Sequence, residues 1–163
     1  MRRVVLLGLC GVILASCMGR AARLAARMEG RYEMEIPASG WSGVPGGGAD
    51  YAWRNEQLGA TLYADSNCGS RYQDLPLERL LQHQMTGIVV EKRILEDRGQ
   101  VDGRTALTVR LEGRLDGVKA GVALTILKKD ECVYDFVVLG PPNQFDAIFR
   151  DYEAALATFR AGD

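Results

Sequence analysis

Residues 89–139 decide the fold, and they read VVEKRILEDRGQVDGRTALTVRLEGRLDGVKAGVALTILKKDECVYDFVVL. Runs rich in apolar and β-branched residues are separated by short polar turn signals. This pattern predicts four strands, at 89–95, 101–111, 118–128 and 132–139. Turns are predicted at 97–99, 116–117 and 129–130, with a bend at 102–103 inside the second strand. Such short connections require antiparallel neighbours, because a parallel crossover needs a dozen or more residues.

The last two of these strands are apolar on both faces. One face of the third strand carries Val122, Leu124 and Ile126, and the other carries Ala123, Thr125 and Leu127. The fourth strand alternates in the same way, with Tyr134, Phe136 and Val138 opposite Val133, Val137 and Leu139. Both faces of the sheet must therefore be covered.

Two amphipathic helices are available to cover them. The first follows Asp74, a candidate cap, and Pro76, and it ends near Gly87. The second runs from Asn143, another candidate cap, to Phe159. Shorter strands are expected at 32–36, 50–55 and 59–66, with a glycine-rich loop at 39–49. We predict an α+β fold, an α/β/α sandwich whose central antiparallel sheet has helices on both faces.

The first 17 residues, MRRVVLLGLCGVILASC, look like a bacterial lipoprotein leader. Two arginines precede an apolar run at 4–14, which is too short to span a membrane as a helix. Small residues then lead to Cys17, as in a lipobox. We predict a signal peptide at 1–16 and lipidation of Cys17; the alternative is an ordinary secretory signal that contains a cysteine by chance.

A lipidated tether is predicted at 17–30, followed by a single globular domain at 31–163. Arg20, Arg23 and Arg27 have helical spacing, so the tether is either a solvated linker or a short basic helix on anionic headgroups. Met18 follows the lipidated position, where no aspartate retention signal is present. The expected localisation is the periplasmic side of a membrane, with the outer membrane favoured over the inner.

Cys68 and Cys132 are the cysteines of the predicted domain. Export would place them in an oxidising compartment, where a disulfide can form and persist. We predict that they are bonded to each other, with two free buried thiols as the alternative. Cα atoms more than about 7 Å apart would exclude the bond.

Trp41, Tyr51 and Trp53 flank the glycine-rich loop. If these side chains are exposed together, they form an aromatic docking surface, since such residues anchor protein interfaces. The alternative is that they are buried under the edge of the sheet.

The order of elements resembles the PsbP-like fold. The residues that carry the resemblance are Tyr32 to Pro37 with Gly40-Trp41, then 74–77, 101–106 and Phe145 to Phe159. It covers about residues 31–160 and rests on turns and packing positions. The resemblance implies a non-enzymatic docking or scaffolding role, because this superfamily is mostly non-enzymatic. It provides no functional residue for this sequence.

Motifs for chemistry are weak throughout the sequence. The only histidine is His83, and no pattern typical of a metal site, phosphate loop or catalytic triad is present, so we expect no metal, cofactor or catalytic residue. The net charge of −1 does not favour nucleic-acid binding, which requires clustered surplus positive charge. We expect a non-catalytic docking or accessory module of an envelope assembly, held to the bilayer through Cys17. The alternatives are a carrier of lipid or another small ligand and, third, a hydrolase with an unrecognised site.

Overall fold

The computed structural model describes residues 32–36, 38–72 and 74–162. The predicted signal peptide at 1–16, the lipidation site Cys17 and the tether at 17–30 lie outside these residues. Among the described residues, no helix combines the length and the apolar character needed to cross a membrane.

A seven-stranded antiparallel sheet and two helices make up most of the structure. In chain order the elements are β1 (Tyr32–Glu33), β2 (Trp41–Gly43), β3 (Tyr51–Asn55), β4 (Ala60–Cys68), α1 (Leu77–Gln84), β5 (Ile88–Val101), β6 (Arg104–Leu115), β7 (Val118–Lys129), β8 (Cys132–Gly140), α2 (Phe145–Thr158) and β9 (Arg160–Ala161). The strand order in the large sheet is β2-β3-β4-β8-β7-β6-β5, and β1 pairs with β9 in a separate two-stranded sheet. The α+β fold predicted from the sequence is therefore confirmed.

Three tight hairpins connect β5 to β8. Each has a two-residue loop in which both residues have positive φ, at Asp102-Gly103 (49° and 72°), Asp116-Gly117 (51° and 80°) and Asp130-Glu131 (50° and 62°). Such loops match the right-handed twist of the flanking strands. The predicted turn at 97–99 is wrong, because β5 continues to Val101 and turns only at Asp102-Gly103. The turn between β7 and β8, at Asp130-Glu131, lies one residue later than the predicted turn at 129–130.

The two faces of the sheet are buried under different helices, as the alternation predicted. Val122, Leu124 and Ile126 of β7 form one core with Leu80 and Leu81 of α1. The opposite face forms a larger core with α2, to which the following contribute: Leu62, Ala64, Ala123, Leu127, Tyr134, Phe136, Phe145, Ile148, Tyr152 and Phe159.

The starts of both helices differ from prediction. Pro76 occupies the position before α1, and no side chain caps that helix, so Asp74 is not a cap. A short 3₁₀ turn at Pro142–Gln144 precedes α2, and Asn143 does not cap it either. Gly87, with φ of +91°, follows α1 where the sequence placed its end. In both places proline sets the local backbone conformation before the helix begins.

The helices do not cover the whole sheet. Residues 89–100 of β5 are exposed, and β5 lies at the edge of the sheet beyond both helices. This arrangement leaves part of the sheet open beside α2.

Candidate functional site

The predicted aromatic docking residues lie on one face of β2 and β3, close to α2. The rings of Tyr51 and Trp53 stack with centroids 5.5 Å apart, and Trp41 Nε1 donates a 2.9 Å hydrogen bond to Asp151 Oδ2. All three aromatic residues are half-buried against the larger core. The structure therefore brings them together, but much of their surface is used in packing.

Cys68 and Cys132 face each other directly across β4 and β8. Their Cα atoms are 3.9 Å apart and their sulfur atoms are bonded at 1.95 Å, in agreement with the predicted pairing. Because the Cys68 sulfur is bonded to Cys132, it is not available as a thiolate nucleophile.

A groove of about 610 Å³ lies between α2 and the uncovered part of β5 and β6. We call it the α2 groove. It is lined by Leu95, Asp97, Gly99, Gln100, Val101, Asp102 and Gly103 of β5 and its turn, Ala106 and Thr108 of β6, Phe149, Glu153, Leu156 and Ala157 of α2, and Arg160.

The α2 groove combines apolar side chains with charges. Leu95, which is 38 % exposed, and Val101 face it from the sheet, and Asp97, Glu153 and Arg160 add charged side chains to its lining. This composition suits a ligand or protein segment that presents apolar groups together with a few polar ones.

One end of the α2 groove is fixed by Asp102. Its Oδ2 accepts hydrogen bonds from Lys129 Nζ at 2.8 Å and from the backbone N–H of Ala161 at 2.9 Å, and both lower the pKa of this carboxyl. Ala161 in turn pairs with Tyr32. Tyr32, the first described residue, therefore lies beside this end of the groove.

The outer edge of β5 continues the exposed surface. Val89, Val90 and Ile94 are 65 %, 39 % and 41 % exposed, although their side chains are large and apolar. Irregularities at 90–92 and 93–95 interrupt the pairing of β5 with β6, whereas the register is regular from Leu95 to Val101. Among the described residues, no strand pairs with this outer edge.

A second, smaller cavity of about 120 Å³ lies under α1 on the other face of the sheet. We call it the α1 cavity, and it is lined by Asn67, Tyr72, Leu80, His83, Gln84, Ile126, Val133 and Asp135. Asp135 is 7 % exposed, and among the described residues its Oδ2 has no hydrogen-bond partner. Burial, together with the charges of Asp65 and Asp50, raises the pKa of Asp135 to about 7.

Sequence reasoning did not identify Asp135 or the α2 groove. One signal was available for Asp135, namely an acid inside the apolar run that surrounds it in β8. His83 is exposed on α1, and no group of three or more metal-binding side chains occurs in the part of the chain that the structure describes.

No family model and no curated relative matches the sequence. Solved structures do resemble the fold. LpqN of Mycobacterium tuberculosis, described as involved in cell envelope biogenesis, superposes with a TM-score of 0.59 at 11% identity over 83% of this chain and 86% of that chain. A protein from Bacteroides thetaiotaomicron gives 0.59 at 13% identity over 81% of this chain, but over only 45% of its own.

The cyanobacterial PsbP protein CyanoP, from Synechocystis, aligns over the greatest share of both chains among these structures. It superposes with a TM-score of 0.53 at 13% identity over 96% of this chain and 99% of that chain. At these identities the likeness is evidence of fold and not of activity. Together with the antiparallel sheet and the helices on its two faces, it shows that this chain has the PsbP-like fold.

Proposed function

We propose that this chain is a lipid-anchored, non-catalytic docking module on the periplasmic side of a membrane, and that a partner protein binds β5 and the α2 groove. The observation that carries the proposal is the α2 groove itself, which opens beside an edge strand exposed from 89 to 100. A groove that combines apolar and polar side chains beside an open strand edge is typical of a binding site.

An extended segment of the partner fits this surface best. A strand added along the regular part of β5, 95–101, would form backbone hydrogen bonds with its open edge. Every second side chain of that strand would then lie on the face of Leu95, Asp97 and Gly99, which is the face of the α2 groove. The irregularities nearer the start of β5 oppose pairing there, since bulges interrupt the ladder.

The envelope is the proposed compartment. The sequence supports it through the leader at 1–16 and the lipobox at Cys17. The structural likeness to LpqN, which is described as involved in envelope biogenesis, agrees with this address. A lipid on Cys17 would keep the α2 groove near the membrane, because Tyr32, the first described residue, lies beside that groove.

Site-specific crosslinking in native membranes tests the docking surface. A photo-reactive phenylalanine derivative replaces Asp97, which is exposed on β5 and faces the α2 groove, and in a matched chain it replaces Asp116, which is exposed in a distant turn. We expect a discrete adduct from position 97, identified by mass spectrometry, and none from position 116.

The same experiment is repeated with a charge introduced into the surface. Leu95→Glu in the α2 groove should abolish the adduct, whereas Val118→Glu, at an apolar residue that is 69 % exposed, should leave it unchanged. Equal labelling from positions 97 and 116, or an adduct that survives Leu95→Glu, would refute docking at this surface.

A second candidate function is transport or storage of a lipid or another small ligand. The volume of the α2 groove, about 610 Å³, favours it because ligand pockets are typically several hundred Å³. Solvent extraction of the purified full-length chain followed by mass spectrometry should then recover a bound small molecule in near-equimolar amount. Its recovery from wild type and loss from Ala157→Trp, which fills the groove, would replace docking with ligand carriage.

A further inference from the structure

Core packing alone does not explain why a carboxyl group is buried at Asp135. Its carboxyl lies in an apolar strand, 7 % exposed, with Oδ2 unpaired on the α1 cavity. Asp65 lies directly opposite it on β4, so two carboxyl groups share one face of the sheet. Like charges placed directly opposite on a sheet are destabilising, and a buried carboxylate is costly without a partner.

None of the described groups that contribute to the pKa of Asp135 is a cation. Gln84 of α1 donates a hydrogen bond to the carboxyl, and Asp50, whose own partner Ser66 faces the other side of the sheet, adds negative charge. The titratable side chains that face the cavity from the elements above it are His83 and Tyr72.

Two cations belong to segments that border this face, and each has a described contact of its own. Lys128 of β7 donates a hydrogen bond through Nζ to the carbonyl of Leu75. Arg71 lies over the ring of Tyr72, with its guanidinium carbon 5.6 Å from the ring centroid. Neither contributes to the raised pKa of Asp135, which depends on burial and the two neighbouring acids.

We propose that the α1 cavity binds a cationic nitrogen group, an ammonium or a guanidinium, through Oδ2 of Asp135. The volume of about 120 Å³ equals roughly four water molecules, so it accommodates a head group and excludes a large ligand. A donor bonded to Oδ2 would satisfy the unpaired oxygen, and its charge would balance the ionised carboxylate of Asp135. The side-chain oxygens of Asn67 and Tyr72 can accept its remaining N–H groups.

Binding of the cation should displace a proton from Asp135. In the empty site the carboxyl holds that proton up to a pKa of about 7, and the bound cation stabilises the ionised form instead. Affinity should therefore increase with pH, and it should be about five- to tenfold higher at pH 8 than at pH 6.

Carboxyl-detected NMR on the full-length chain in detergent tests this site, with methylammonium and methylguanidinium chloride as the probes. We expect a saturable change of the Asp135 carboxyl resonance and a fall of its pKa by about one unit or more. Tetramethylammonium chloride, which has the same charge but no N–H donor, serves as the ionic-strength control and should leave the resonance unchanged.

Matched variants identify the group that binds. Asp135→Asn should weaken binding by about tenfold or more, whereas Asp116→Asn, the same change at an exposed turn, should not alter it. If Asp135→Asn does not fold, Asn67→Leu, which removes an acceptor that lines the same cavity, provides the second test and should weaken binding several-fold. Wild-type resonances that do not respond, that respond equally to tetramethylammonium, or affinity retained in the folded Asp135→Asn or Asn67→Leu chain would each overturn the proposal.

Discussion

At the scale of single residues, Gly121 shows how closely α2 packs on the sheet. A Cβ atom at this position of β7 would lie 2.5 Å from Cδ2 and 2.9 Å from Cβ of Phe145, which is 2 % exposed. We expect Gly121→Ala to reduce the free energy of unfolding by about 1–3 kcal/mol, because the ring must shift within a filled core. Urea denaturation followed by circular dichroism measures this change.

Gly99→Ala is the matched control for that substitution. Gly99 is also a strand residue, but a Cβ atom there meets nothing within 4 Å. Its stability should stay close to that of wild type, and a loss equal to that of Gly121→Ala would contradict the packing argument.

Asp135 makes stability depend on pH in an unusual direction. Its folded pKa of about 7 lies above the unfolded value of about 4, so the folded chain holds a proton that the unfolded chain has released. The contribution of Asp135 to stability is therefore complete below pH 4 and is lost as pH rises towards and through 7. Linkage sets the size of this loss at up to about 4 kcal/mol.

Asp135→Asn removes that titration while keeping the shape of the side chain. We expect the variant to gain stability relative to wild type as pH rises from 4 to 8, which denaturant melts at four or five pH values would show. A difference between variant and wild type that stays constant with pH would contradict the raised pKa.

At the scale of elements, the Asp102-Gly103 turn joins three separate parts of the chain. The Asp102 carboxylate contacts Lys129 at the end of β7 and the backbone of Ala161 in β9. Asp102→Ala should lose these contacts as well as the preference of Asp for positive φ. Asp116→Ala, at a turn of the same type, loses only the backbone preference.

The difference between these two variants measures the contacts of Asp102. We expect Asp102→Ala to be less stable than Asp116→Ala by about 1–2 kcal/mol at pH 7. Because Lys129 and Ala161 lower the pKa of Asp102, this difference should shrink as pH falls below about 4. Equal stability of the two variants at pH 7 would show that the contacts contribute nothing.

The sequence predicted the sheet better than it predicted the ends of the elements. The residues that alternate in β7 and β8 are buried on both faces, and that burial is visible in the sequence because each face has its own apolar set. The prediction of a turn at 97–99 was wrong because Asp and Gly occur twice within eight residues, at 97–99 and at 102–103. Local composition alone does not show which of these two positions forms the turn. Pairing with β6 decides between them, since Asp97 and Arg98 have partners there.

The candidate sites could not be predicted because they depend on pairings between distant segments. Asp65 and Asp135 become neighbours only through the register of β4 with β8, which periodicity does not reveal. The α2 groove exists because α2 covers β7 and β8 and leaves β5 uncovered, which depends on where the helix packs. The aromatic residues Trp41, Tyr51 and Trp53 were found by composition, but composition could not show that they are half-buried.

At the scale of the whole molecule, the disulfide joins segments that are 64 residues apart in sequence. It connects β4 to β8 in the middle of the sheet, so every element from α1 to β7 lies within the closed loop. Chain-entropy reasoning predicts that Cys68→Ala/Cys132→Ala is less stable than wild type by about 4 kcal/mol. Calorimetry with and without reductant measures this, and reductant should destabilise wild type while leaving the variant unchanged.

The predicted anchor determines how far the domain can act from the membrane. Fourteen residues, 18–31, separate Cys17 from Tyr32 and span at most about 50 Å when extended. If Cys17 is lipidated as proposed, a partner bound at the α2 groove would lie within about that distance of the bilayer, and tethering would raise its effective concentration there. Replacing 1–17 by a cleavable secretory signal without a lipobox removes the lipid anchor while the domain is still exported.

We expect that chain to be soluble in the periplasm and to lose most of its crosslinking from position 97. Wild type extracted from membranes should carry a lipid on Cys17 by mass spectrometry.

A chimera that presents residues 18–163 on an unrelated transmembrane helix is the matched control, because it restores proximity without the lipid, and it should restore the adduct. Because proximity and the lipid are separated in this way, an adduct that returns only with acylated Cys17 would show that the acyl chains contact the partner directly. An unmodified Cys17 in the wild-type protein would refute the proposed lipid anchor. Docking at the α2 groove would then have to occur without membrane attachment through Cys17.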